Sequence, residues 1–310
     1  MISNLSPQSQ QFLADVASAQ QRIAIANRQL SSGLKIQSAS DGPDVVSELL
    51  QLRANLQKNS QLTDNLGLAK TDAYVADTSL SSATQLMDTA LSLAAQGATA
   101  TTDAAGRQAI AGQVEGILEQ MVGYANTQSG GRYIFGGDAD TSAPYQLDLS
   151  QANGVDRLNT AAATRVIEDP AGGSFPASQT AQQIFDDRNP DGSIANDNAF
   201  AALNNLRTAL VNNDPSGITA ATTSLKAASG HLNVSLAYYG TVENRIQDAT
   251  TWAGNYNLQL QTQISQLQDS DVAAASLELT QGTTQLQAAF ASEAQLPRYT
   301  LFDFLNTTSG

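Results

Sequence analysis

Residues 45–94 read VVSELLQLRANLQKNSQLTDNLGLAKTDAYVADTSLSSATQLMDTALSLA, and the fold turns on this stretch. Apolar residues recur at Val45, Leu49, Leu52 and Leu56, then after a more polar patch at Leu66, Ala69, Ala73, Ala76, Leu80, Ala83, Met87, Ala90 and Ala94. Alternating steps of three and four place these side chains on one seam of a helix, as in the a and d positions of a coiled coil. The spacing predicts a single helix of about fifty residues, roughly 75 Å at 1.5 Å per residue. A globular domain rarely needs one so long.

Upstream, Phe12, Val16, Ala19, Ile23, Ala26 and Leu30 repeat the same spacing and predict a helix over 8–32, closed by Ser31, Ser32 and Gly33. Asp41 is the expected N-cap of the long helix, with Pro43 in its first turn, where a missing N–H costs nothing. Downstream, a GATATTDAAG turn leads to a third helix marked by Ile110, Val114, Ile117, Met121 and Ala125. Between Gly130 and Pro215 the helical period disappears, and Gly, Pro, Asn and Asp punctuate short apolar runs, which predicts strands and turns with one helix over Ala199–Val211. A second long heptad run follows through Ile218, Leu225, Leu232, Tyr239, Ile246, Ala253, Leu260 and Leu267. Ser270 is the expected cap of a last helix with seam residues Val272, Ser276, Leu279, Thr283, Leu286 and Phe290.

These elements predict a mainly α fold: a long antiparallel coiled-coil helical bundle formed by the N- and C-terminal segments, with a small mixed strand and turn insert. The expected regions are terminal assembly helices over 1–40 and 270–310, a helical rod over 41–130 and 216–269, and an inserted variable region over 131–215. Phe12, Val16, Ile23, Leu30, Leu279, Leu286 and Phe290 are the expected assembly interface. Six apolar contacts on a helix of about twenty-five residues hardly offset ordering costs of about 1 to 2 kcal/mol per residue, so both termini are expected to fold only on assembly.

Composition excludes several classes. The chain has 310 residues and a net charge of −14 with no block of Lys and Arg, which disfavours nucleic acid and anionic membranes as partners. No apolar run reaches the length of a membrane span, and the N-terminus lacks the basic and apolar regions of a cleavable signal. With no cysteine there is neither disulfide nor thiolate chemistry. The single histidine, His231, lies in a helical run and reads as a surface or packed residue rather than a general base. No nucleophile, base and orienting group can be assembled, so an enzyme is not expected. One motif suggests a metal: in DDRNPDGSIAND, Asp187, Asn189, Asp191 and Gly192 have the spacing of the first half of a calcium loop, although Asn198 stands where the bidentate Glu belongs. An Asx-rich turn is the competing reading, and no other cofactor is expected.

The two ends carry a resemblance. QLSSGLKIQSASDGPDVV (residues 29–46), DVAAASLELTQGTTQLQAAFASEAQL (271–296) and TLFDFL (300–305) are similar to the paired terminal signatures of the flagellin family. Between them, SGGRYIFGGDADTSAPY (129–145) resembles the Gly-x-Tyr-Leu-Phe-Gly unit of that family's hook-filament junction branch, with Tyr133, Ile134 and Phe135 as the expected anchor of the insert. The resemblance implies a structural flagellar subunit, exported unfolded after binding a cytoplasmic chaperone. It would self-associate in a layer at the hook-filament junction, outside the cell, beside other hook-associated proteins and flagellin. A flagellin that builds the filament itself is the alternative.

Overall fold

A computed structural model describes residues 7–170 and 172–294. The ends of the expected assembly regions, 1–6 and 295–310 with the 300–305 motif, lie outside the described residues. The chain is mainly α. Its helices are α1 (Pro7–Ser32), α2 (Val46–Ala98), α3 (Ala104–Ala125), α4 (Ala181–Phe185), α5 (Ala199–Val211), α6 (Pro215–Gln268) and α7 (Val272–Ala294). Six short strands, β1 (Gln128–Ser129), β2 (Arg132–Tyr133), β3 (Tyr145–Leu147), β4 (Val155–Arg157), β5 (Val166–Glu168) and β6 (Ser174–Pro176), pair as three antiparallel hairpins.

The residues group into two compact units, 1–57 with 258–310 and 58–257, so α2 and α6 each contribute to both. Against the expected boundaries at 40/41 and 269/270, the smaller unit also takes in the first turns of α2 and the last turns of α6.

In the larger unit, the seam expected of α2 is buried from Leu66 through Ala73, Ala76, Leu80, Ala83, Met87 and Ala90 to Ala94. It shares one core with Leu118 and Met121 of α3, Phe135, Phe185, Phe200, and Leu225, Leu232, Tyr239 and Ile246 of α6. The insert is therefore no separate domain; its apolar side chains complete the core of the helices. At the polar patch of α2, Asn59 is buried and its Nδ2 donates to the carbonyl of Ala253 at 2.8 Å, while Lys70 reaches Gln247 at 3.0 Å. Rising numbers on α2 meet falling numbers on α6, so the two helices run antiparallel. The C-terminus of α2 is capped by Arg107, whose Nε donates to the Gly97 carbonyl at 2.8 Å.

The smaller unit is held by far less. Among its described residues the buried apolar ones are Ala19, Ala26, Ile36, Leu49, Leu260 and Ala275, half of them alanine. Two caps differ from expectation. Asp41 does not start α2: its Oδ2 turns back to accept from Gln37 N at 3.2 Å and Ser38 N at 2.9 Å, closing a local turn. The helix begins only at Val46. At the other end Asp271, not Ser270, caps α7, its Oδ1 accepting from Ala273 N and Ala274 N at 2.9 and 3.1 Å. Ser270 N instead donates to Gly33 O at 2.9 Å, and Lys35 N to Gln268 O at 2.6 Å, joining the two interhelical turns by backbone bonds.

Candidate functional site

Two places concentrate the features expected to act in assembly: the pairing of α1 with α7, and the unit that fixes the insert. Along α1, Ala19 and Ala26 are buried and Phe12, Val16, Ile23 and Leu30 half-buried, so the expected seam is the face turned to α7. On α7 the facing line is Ala275, Leu279, Gly282, Leu286 and Ala289. Leu279 and Leu286 thus lie on it, but Ser276 and Thr283 are exposed and Phe290 stands at the flank, 50% exposed, with its ring edge-on to Phe12 at 6.1 Å. The correction has a steric cause. Ile23 packs against the bare Cα of Gly282, where an added Cβ would come within 2.8 Å of Ile23 Cγ1. Small residues at Ala275 and Gly282 let the helices approach closely, a signal that counting large apolar residues misses. Arg22 seals the rim, donating to Gln285 Oε1 at 2.5 Å. Outside this line Leu13, Leu50, Leu258, Val272 and Leu277 remain more than half exposed.

The insert anchor is built by glycines. Gly130 and Gly131, both at positive φ, make the two-residue turn between β1 and β2. Gly136 and Gly137 then bring the backbone against the insert; a Cβ on Gly137, at φ 56°, would lie 2.7 Å from the Ala161 methyl. Between the pairs, Ile134 and Phe135 are buried while Tyr133 is only half-buried. Tyr133 belongs to the exposed hairpin, its N–H bonded to Asp140 O at 2.9 Å. Phe135 carries the anchoring contacts, edge-on to Phe185 of α4 at 5.7 Å and to Tyr239 of α6 at 6.2 Å.

Behind it lies a buried carboxylate. Asp186, fully buried, accepts from Arg157 Nη2 at 2.5 Å, Asn198 Nδ2 at 2.7 Å, Asn153 Nδ2 at 3.1 Å and the Tyr145 hydroxyl at 3.1 Å. Burial pushes its pKa up, but the hydrogen bonds from Arg157 and Asn198 and the charges of Arg157 and Arg188 outweigh it and hold it below the ordinary value. The same burial and the neighbouring carboxylate raise the Tyr145 hydroxyl far above its usual range. This network ties β3, β4, α4 and the N-cap of α5 together.

The calcium-loop residues make local bonds. Asp191 Oδ1 accepts from Ser193 N and Oγ at 2.9 and 2.6 Å, and Asn189 Nδ2 donates to Ser193 Oγ at 2.9 Å, an Asx-rich turn. Asn198, at the twelfth position, caps α5. Asp187 instead converges with Asp197 and with His231 of α6, their ligand atoms all within 4.8 Å of one another. His231 is half-buried with its Nε2 2.7 Å from the Gln183 carbonyl, as a packed histidine would be.

Comparison with known proteins places this architecture. The profile of the bacterial flagellin N-terminal helical region matches residues 2–140, and that of the C-terminal helical region matches 217–305. The chain is 25% identical over 311 residues to flagellar hook-associated protein 3 of Escherichia coli K12, covering 94% of this chain and 96% of that protein. It is 26% identical over 212 residues to flagellar hook-associated protein 3 of Salmonella typhimurium LT2, 65% of this chain and 64% of that protein. The fold superposes on the crystal structure of Xanthomonas campestris FlgL with a TM-score of 0.58 at 14% identity, over 70% of this chain and 99% of that one. With both helical regions matched in order around the insert, the chain belongs to the bacterial flagellin family.

Proposed function

We propose that this chain is a structural subunit of the bacterial flagellum that serves as the adapter at the hook-filament junction, outside the cell. The observation that carries the reading is the end-to-end similarity to Escherichia coli hook-associated protein 3, which includes the insert as well as both terminal regions. A filament-forming flagellin would share the termini; the insert, entered through GRYIFGG, favours the junction branch.

Assembly works by burial. Paired α1 and α7 leave Leu13, Val272, Leu277 and Phe290 substantially exposed, and covering them with a second copy of the same unit supplies the apolar area that the isolated pair lacks. Self-association in an annular layer, contact with other hook-associated proteins and flagellin, and delivery by an export chaperone complete the proposal. The family's members are structural, and we read this one as without catalytic activity.

Immunogold microscopy of sheared flagella, with antibody raised against residues 138–212, tests it. Label confined to the hook-filament boundary is the expected result. Label along the whole filament would make the chain a filament subunit.

A further inference from the structure

We infer that Asp187, Asp197 and His231 form a binding site for a divalent transition-metal ion of the zinc class, which fastens the loop between α4 and α5 to α6. His231 Nε2 lies 2.7 Å from the carbonyl oxygen of Gln183. A carbonyl only accepts, so Nε2 is the nitrogen that carries a proton toward Gln183, and Nδ1 is the ring atom left to meet a ligand. Nδ1 faces Asp197 Oδ2 at 3.4 Å, with an Asp187 carboxylate oxygen in the same cluster. An imidazole nitrogen and two carboxylates within 4.8 Å of one another can share a single cation.

The distances favour a metal over a second proton. A charge-assisted N–H···O bond closes to about 2.7–2.9 Å. Two ligand atoms bound at about 2.1 Å to one tetrahedral ion stand about 3.4 Å apart, the observed separation of Nδ1 from Oδ2. A histidine that gives its other N–H to a backbone carbonyl is the usual arrangement behind a metal ligand. The support here is built in: Gln183 is held by its capping box with Thr180, and Asn198 Nδ2 fixes the backbone of Asp187 at 3.1 Å. Ser224 of α6 donates to Asn196 Oδ1 at 2.8 Å, holding the neighbour of Asp197.

One imidazole and two carboxylates suit zinc and its transition-metal neighbours better than calcium, which wants six to eight oxygens. His231 and Asp197 keep side-chain exposures of 24% and 34%, which leaves water access to the remaining coordination positions.

His231 is the chain's single histidine, so a long-range 1H–15N spectrum of the full-length protein shows one imidazole. Chelator-stripped protein titrated with zinc chloride should bind one ion per chain, moving the Nδ1 resonance while the Nε2 proton persists. At zinc a hundred-fold above the dissociation constant, thermal unfolding of the larger unit should rise by roughly 5 to 10 °C. Asp197→Asn, nearly isosteric, and His231→Gln should each weaken zinc binding ten-fold or more; if His231→Gln fails to fold, the asparagine variant and the wild-type spectrum still decide. An imidazole unmoved by zinc in large excess, or zinc affinity unchanged in Asp197→Asn, overturns the site. Stabilisation by calcium chloride that Asp191→Asn abolishes and Asp197→Asn does not would also overturn it, in favour of the 187–198 loop.

Discussion

Asp186 shows how a single buried group can organise an irregular region. Five residues, Tyr145, Asn153, Arg157, Arg188 and Asn198, donate to its two oxygens, so the β3–β4 hairpin and both short helices share one electrostatic centre. Asp186→Asn would set an amide N–H against the Arg157 guanidinium and leave Arg157 and Arg188 without their shared counter-ion, at a cost of about 3–5 kcal/mol by urea unfolding. The pH dependence follows from its lowered pKa. Well above the ordinary carboxylate value near pH 4, Asp186 is ionised in both folded and unfolded chains and its contribution is complete. As pH falls through the lower folded value the carboxylate protonates and the contribution is lost. Wild-type stability should therefore fall more steeply below about pH 4 than that of Asp186→Asn.

Glycines at the same scale divide by environment. Gly137→Ala forces a side chain into positive φ and against Ala161, and should cost more than about 1 kcal/mol. Gly112→Ala, in α3 with open space around it, should stabilise by about 0.5–1 kcal/mol in the same assay.

Long helices are legible because a seam repeated many times averages out single exceptions. The seam of α2 and the burial of Leu225, Leu232, Tyr239, Ile246 and Leu260 on α6 follow from spacing alone, as does α5 over Ala199–Val211. The exceptions are residues whose partners are remote in sequence. Asn59 looks like a break in a pattern until Ala253 is seen opposite it. Asp41 and Ser270 look like caps, but their actual bonds go backwards or to the other terminus. The metal cluster draws Asp187 and Asp197 from either end of a turn and His231 from a helix, and no spacing rule joins them.

The α7 seam was legible only in part, since leucine marks a seam whereas Ala275 and Gly282 mark where two backbones come close. Gly282→Val should therefore weaken the α1–α7 pair by about 1–3 kcal/mol, and Ile23→Ala in the same chain should recover part of the loss. In the assembled protein, where these helices are protected, faster amide exchange in both, partly restored in the double variant, is the expected measurement. Ile23→Asp or Leu286→Asp goes further, burying an unpaired charge at the seam. Either should abolish incorporation into flagella while leaving the melting of the 58–257 unit unchanged.

At the scale of the whole molecule the two units differ in how much holds them. The 58–257 unit has a continuous core that includes large aromatic side chains from the insert. In the other, the described residues bury Ile36, Leu49 and Leu260 with three alanines, each of which buries little area, while several leucines and a phenylalanine stay exposed. Fixing backbone costs about 1–2 kcal/mol per residue in either unit, and the described residues of the smaller one bury little apolar area to offset it. On the proposed function, folding of the terminal helices is then expected to accompany assembly, as for segments that order on binding. In dilute monomer, amides of α1 and α7 should exchange with little protection while those of α3 and the middle of α6 are retained. Assembly should slow the terminal amides by orders of magnitude and leave the core amides as they were. Strong protection of α1 and α7 in dilute monomer would mean that the pair is stable alone and that assembly recognises a preformed surface.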